Sequence, residues 1–347
     1  MKTRWVVITL LLSVSLVGFS SFIHANFGVD DFESTCCESR FNVGAEWLYM
    51  SVRQDNLRAG TFIDDFPDPV LKKAFPTGIQ PGFEYTSGFR VNAGYQLPCE
   101  CWELNALYTY LPIESKSDFA QVLIAPTSTH KQYIIPNTNS FPFFQAFGNS
   151  IGQVVFNSLS TKWYGNLSYV DIDLARTLTF GDCLSLRPHL GFRGAWVKQT
   201  LIMGGDLQMP STNNSTFGRF TLTEKFTGYG AEGGIWTDWK LGCGFSVLGH
   251  FGGSILYSTF KLPEFSESSL GEGLPPVFVI EGTATEHTAT PTVEYSVALQ
   301  YAITLCDFQI KAHIGWEQRL FFYFNQFALG SGNFSMQGMT LGLEVGF

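Results

Sequence analysis

Residues 293–316 read "VEYSVALQYAITLCDFQIKAHIGW". Val293, Tyr295, Val297, Leu299, Tyr301, Ile303 and Leu305 share one parity, while Glu294, Ser296, Ala298, Gln300, Ala302 and Thr304 share the other. After Cys306-Asp307 the alternation resumes, with Phe308, Ile310, Ala312, Ile314 and Trp316 against Gln309, Lys311, His313 and Glu317. Successive side chains of a strand point to opposite faces, so the stretch predicts a hairpin with one apolar and one polar face. Soluble sandwiches and membrane barrels both contain such hairpins, and the rest of the chain has to separate them.

The pattern recurs. Tyr85, Ser87, Phe89, Val91, Ala93, Tyr95 and Leu97 alternate with polar or small residues, a "PCEC" turn follows, and Trp102, Leu104, Ala106, Tyr108 and Tyr110 alternate again. In "VDIDLARTLTFGDCLSLRPHLGFRGAW" (170–196) the apolar parity holds Val170, Ile172, Leu174, Leu186, Leu190, Phe192 and Trp196. In "YGAEGGIWTDWKLGCGFSVLGHFGGSILY" (229–257) it holds Tyr229, Ala231, Ile235, Trp239, Phe245, Val247, Phe251, Ile255 and Tyr257. Two unpaired strands remain, "FNVGAEWLYM" (41–50) and "MTLGLEVGF" (339–347), and pairing them closes the sheet.

The count is at least ten strands, with room for 10–16, because the long segment from Pro112 to Lys162 contains "QVLIA", "KQYII" and "GQVVF" and has space for one or two further hairpins. Tight turns alternate with long connections. Long structureless loops are uncommon in compact domains, whereas short turns on one rim and long loops on the other are the rule in outer-membrane barrels. Hydrocarbon offers the backbone no hydrogen-bond partner, so a sheet that spans it must leave no edge. The expected fold is therefore all-β, a transmembrane antiparallel up-and-down barrel with short periplasmic turns and long extracellular loops. Two aromatic belts fit this reading: Tyr95, Trp102, Trp239, Phe245, Tyr301 and Phe308 near the turns, and Trp47, Tyr85, Tyr108, Trp196, Tyr229, Tyr257 and Trp316 near the loops. Arg176 shares the parity of Ile172 and Leu174, so it either snorkels to the interface or sits after a bulge.

The ends agree with export. Lys2 and Arg4 precede an apolar run from Trp5 to Val17 and then small residues, the layout of a signal peptide with cleavage expected between about Ser20 and Asn26. The expected organisation is a signal peptide over 1–25, a periplasmic N-terminal segment over 26–40 and a barrel over 41–347. Aromatic residues make up 16% and charged residues 15% of the chain, the latter well under the usual quarter. Loss of Lys2 and Arg4 takes 21 basic residues to 19 against 30 acidic, a formal charge of −11. Nucleic acid is excluded as a partner, since binding it calls for a basic footprint.

The polar parity gives the pore-lining candidates: Arg90, Glu103, Asp171, Asp173, Arg187, His189, Arg193, Glu232, Asp238, Glu294, Lys311, His313 and Glu344. In a barrel they point into the lumen, either as a selectivity lining or as an ion-paired plug. Eight strands leave an interior just filled by side chains and sixteen leave an aqueous channel, so ten falls between. Asp171 and Asp173 share one face, yet the sequence gives no reason for their acidities to be pushed apart, as acid and base roles require. His189, His250 and His313 stand in no motif, and no nucleophile elbow, zinc-protease motif or phosphate loop occurs. No catalytic residue, cofactor or metal is expected. The cysteines Cys99, Cys101, Cys183, Cys243 and Cys306 fall in or beside short turns, and Cys36 and Cys37 precede the first strand, which collects all seven at the periplasmic rim. They are disulfide candidates, and an odd count leaves at least one unpaired or bridging to another molecule. "FPFFQAF" (141–147) and "LFFYF" (320–324) put aromatic clusters on the loop side, where an adhesin would display them or a loop would bury them.

"VGAEWLY" (43–49), "CLSLRPHLGFRGAW" (183–196), "WKLGCGFSVLGHFGGSILYSTF" (239–260) and "WEQRLFFYFNQF" (316–327) resemble, in order, the pore-forming major-outer-membrane-protein-like family of Legionella and chlamydia-related bacteria. The terminal Phe347 resembles the C-terminal signal of outer-membrane proteins. The resemblance implies a porin-like channel for passive diffusion of small hydrophilic solutes and ions in the outer membrane. The expected partners are outer-membrane lipid, the barrel-assembly machinery, and further copies of the chain or disulfide-linked envelope proteins, the last as chlamydia-type envelopes suggest. The alternative is a structural or adhesive surface barrel with a closed lumen, cross-linked through the cysteines of the periplasmic side.

Overall fold

In the computed structural model the described residues are 40–55, 57, 60–65, 75–98, 102–116, 118–121, 131–136, 155–156, 158–208, 215–271, 284–305, 308–325 and 332–347. The expected signal peptide and nearly all of the N-terminal segment lie outside them, as do Cys36, Cys37, Cys99, Cys101, Cys306 and the "FPFFQAF" cluster.

Ten strands make the wall: β1 (Arg40–Gln54), β2 (Tyr85–Gln96), β3 (Trp102–Lys116), β4 (Ser158–Arg176), β5 (Leu184–Gln208), β6 (Ser215–Gly242), β7 (Phe245–Gly271), β8 (Ala284–Leu305), β9 (Phe308–Asn325) and β10 (Gly332–Gly346). Each pairs antiparallel with its sequence neighbour. β1 pairs with β10 from Asn42 opposite Gly346 to Gln54 opposite Phe334, which closes the barrel. Phe41 and Phe347 exchange two backbone hydrogen bonds of 2.9 Å at the seam, so the start of β1 and the end of the chain share one rim.

"KQYII" does form a strand, Lys131–Pro136, but it pairs with Gly60–Asp65 on the loop side. Asp118–Gln121 pairs with the start of β4, and Val155–Phe156 with the end of β5. These pieces raise the wall instead of widening it, so among the described residues the barrel has ten staves.

The turn between β6 and β7 shows how short the opposite rim is. Gly242 faces Phe245, and the two residues between them, Cys243 and Gly244, have φ of 51° and 83°. A two-residue type I′ turn needs positive φ at both positions, and its twist matches that of the flanking strands.

The outer face near this rim is apolar. Ile172, Leu190, Phe192, Ile235, Phe251, Ile255 and Leu343 are exposed and point away from the barrel. Trp239 and Tyr229, ten residues apart on β6, are both exposed. At about 3.4 Å per residue and a tilt near 40° they stand about 25 Å apart, the height of a lipid-facing band. Arg176 stays in register opposite Trp102 and holds its guanidinium 5.6 Å from that ring. It lies at the interface, with no bulge.

β5, β6 and β7 run 25, 28 and 27 residues, while about 9–11 suffice to cross a membrane. Their upper halves stand clear of lipid, and there the two faces exchange character. On β5 the inward row passes from Arg193 to Ala195, Val197, Leu201 and Met203, all buried, while the outward row passes from Phe192 and Trp196 to Lys198. Each face matches the medium it meets. Within lipid the apolar side is outside, and above it the apolar side is inside, as in a soluble barrel.

Candidate functional site: the filled lumen

Inward side chains occupy the lumen in three layers. The middle layer is ionic. On β5, Arg193 forms a fork with Asp171 of β4 at 2.6 and 2.8 Å and reaches Glu232 of β6 at 2.7 Å and Glu294 of β8 at 2.9 Å. Arg319 of β9 pairs closely with Glu294 and lies 3.7 Å from Glu317. Arg90 of β2 holds Glu46 of β1 at 2.9 Å and Glu317 of β9 at 2.8 Å. Since β5 and β8, or β2 and β9, are not neighbours in the wall, these bonds cross the barrel.

Tyr169 of β4 stands at the hub, with no exposed surface. Its hydroxyl accepts a 2.9 Å bond from Arg90, and the Arg319 and Arg193 guanidinium groups lie 4.1 and 5.6 Å from its ring centre. An aromatic face attracts cations, and the attraction grows when the pair is withdrawn from water. A void of about 40 Å³ lies in this layer, room for a few waters.

Toward the turns the lumen is polar and half-buried. Arg187 donates to Glu103 at 2.7 Å, Asn42 to Glu103 at 3.2 Å, Asn105 to Asp173 at 3.1 Å and Lys311 to Glu344 at 2.8 Å. Trp236 stacks on His250 at 3.9 Å, and His189 lies 5.3 Å from His250. His313 sits 3.6 Å from Glu46. Toward the loops the fill is apolar. Phe226, Phe260, Phe321, Phe324 and Phe334 form a cluster with ring centres as close as 4.5 Å. Trp163 packs on its edge and donates through Nε1 to Gln199 at 3.0 Å, which donates on to Glu224 at 2.7 Å.

All the pore-lining candidates occupy the inward parity. Arg90, Asp171, Arg193, Glu232 and Glu294 meet in the ionic layer, whereas Glu103, Asp173, Arg187, His189, Asp238, Lys311, His313 and Glu344 lie in or beside the turn-side layer. The sequence put Glu317 on the polar face without naming it as pore-lining, and Glu46, Tyr169 and Arg319 were not singled out. Their signal was parity: Tyr169 precedes Asp171 by two, and Glu46 sits between the outward Ala45 and Trp47. Cys183 and Cys243 are exposed free thiols in two turns of the same rim.

Residues 33–347 match the family model described as the Legionella pneumophila major outer membrane protein precursor. The chain belongs to this family. It is thus an outer-membrane protein, and the family assignment covers the whole barrel. No curated protein sequence matches it. Solved structures similar to this Legionella-type barrel include the outer membrane protease OmpT from Escherichia coli, at TM-score 0.45 and 10% identity over 92% of this chain and 99% of that one. A major outer membrane protein from Thermus thermophilus matches at TM-score 0.28 and 10% identity over 90% and 100%, and a Pseudomonas aeruginosa FadL homologue at 0.28 and 7% over 89% and 90%.

Proposed function

We propose that this protein is a closed-lumen surface barrel of the outer membrane, which braces the envelope and holds a tall loop-side extension above the outer leaflet. The observation that carries the reading is the filled cross-section. An ion-paired layer hubbed on Tyr169 lies beneath an aromatic layer, and the void in the ionic layer is about 40 Å³. Buried ion pairs with further hydrogen bonds are hard to part, because removing one partner strands the others away from water.

The reading includes no catalytic role. Asp171 is held in a fork by Arg193 and Asp173 accepts a bond from Asn105, which places both in the structural hydrogen-bond network of the lumen. Cross-linking to neighbouring envelope proteins belongs to the same proposal, supported by the exposed thiols of Cys183 and Cys243. Non-reducing gels of intact envelopes should then carry high-mass bands that collapse with reductant, and a monomer band alone would count against it.

A second reading, the passive diffusion channel that the family resemblance implies, is favoured by the half-exposed polar layer on the turn side, which is lined as a solute vestibule would be. Swelling of liposomes containing refolded protein in small sugars distinguishes the two. The closed barrel predicts swelling no faster than in empty liposomes, and sugar-size-dependent swelling by the unaltered protein would overturn it.

A further inference from the structure

The chain carries a formal charge of −9 with only 21 basic residues, yet three lysines stand in one row on its outer face. The ladder register sets Lys198 of β5 directly opposite Lys225 of β6, and Lys225 directly opposite Lys261 of β7. All three are exposed, and among the described residues none enters an ion pair. Neighbouring strands lie about 4.8 Å apart, so three like charges fall within about 10 Å. Like charges set directly opposite each other destabilise a sheet. An ordinary solvated face mixes signs and avoids the arrangement.

The level of the row is informative. It lies two residues beyond Trp196, Thr227 and Thr259, and four beyond Tyr229 and Tyr257. Trp196 donates through Nε1 to the Tyr229 hydroxyl at 3.3 Å, so both polar tips meet where a membrane interface belongs. At about 3.4 Å per residue and a tilt near 40°, the lysines stand roughly 5–10 Å above that belt, at the height of lipid headgroups. Beside the row the outer wall carries a cavity of about 450 Å³, lined by Lys198 and Lys225 with Asn166, Thr200 and Thr223. The two threonine hydroxyls are 3.2 Å apart, and both residues are more than nine-tenths buried. Cations, hydroxyl donors and a concavity, set directly above an apolar wall, make a receptor for a molecule with an anionic head and apolar tails.

We propose that the Lys198–Lys225–Lys261 row and this cavity bind the phosphorylated headgroup of an outer-leaflet glycolipid, whose acyl chains run down the wall past Tyr229, Ile255 and Tyr257. Phosphate oxygens would bridge adjacent ammonium groups and remove the like-charge repulsion along the row. A soluble phosphate would satisfy the lysines but leave the apolar wall below unused, and this favours the lipid.

The test uses the refolded full chain in detergent, with diphosphoryl lipid A as probe and heat-modifiable gel mobility to confirm that each variant is folded. Lys198→Gln/Lys225→Gln/Lys261→Gln should bind on the order of 100-fold more weakly, and Lys225→Gln alone about fivefold, from the contribution of one basic residue near an anionic surface. The triple arginine variant should retain binding. Lipid A stripped of its phosphates should bind as weakly as the triple glutamine variant does to intact lipid A. The proposal falls if the glutamine variants bind as the unaltered protein does, if phosphate-free lipid A binds equally well, or if inorganic phosphate alone binds as tightly as lipid A.

Discussion

At the scale of single residues, Tyr169 and Arg193 carry the lumen. Arg193 is 1% exposed and touches three carboxylates from three other strands. Arg193→Met should cost about 3–5 kcal/mol of stability, because Asp171 and Glu232 would lose their guanidinium partner and Glu294 would keep only Arg319. Tyr169→Phe keeps the ring under Arg319 but removes the acceptor for Arg90, and should cost about 1.5–3 kcal/mol. Denaturant unfolding of the two variants in lipid reads the order directly, and equal midpoints would contradict the hub. These roles were only partly legible in the sequence. Parity alone assigned Arg193 and Asp171 to the inside, but which inward residues meet depends on bonds across the barrel, such as Arg90 to Glu317, and no local pattern encodes those.

At the scale of a strand, the governing rule is that each face suits its medium. On β7, Phe251 is 66% exposed and stands near the middle of the lipid-facing band, while Thr259 stands just past the loop-side aromatic belt. Phe251→Lys should therefore cost about 2–4 kcal/mol and Thr259→Lys at most about 1, since the penalty for a charge on the lipid face falls off with depth. A flat response would show that the membrane boundary is misplaced. In the turn at the other end of β7, Cys243 holds a φ of 51° that a side chain disfavours. Cys243→Gly should raise stability by up to about 1 kcal/mol, seen as a higher unfolding midpoint. The alternation that predicts these strands was plain in the sequence for the lipid-crossing stretches, such as Val293–Leu305. The exchange of faces higher up was hidden, because Leu201, Ile202 and Met203 are apolar in succession and blur the alternation where the greasy parity changes sides. Without the position of the lipid boundary, such a run does not show which side is in.

At the scale of the molecule, the same rule turns one sheet into two kinds of barrel stacked end to end: an inside-out one in lipid, and above it one built like a soluble protein around Phe226, Phe324 and Trp163. Both have their interiors occupied by side chains. At least ten strands were legible in the sequence and ten make the wall, but strand number alone does not say how the interior is filled; the size of inward residues such as Tyr169 and Phe226 does. Single-channel recording of the refolded protein in a planar bilayer probes the proposed closed bore without intermediaries. A filled lumen should give a baseline indistinguishable from bare lipid across the applied voltages. Reproducible stepwise conductance from the unaltered protein would contradict it.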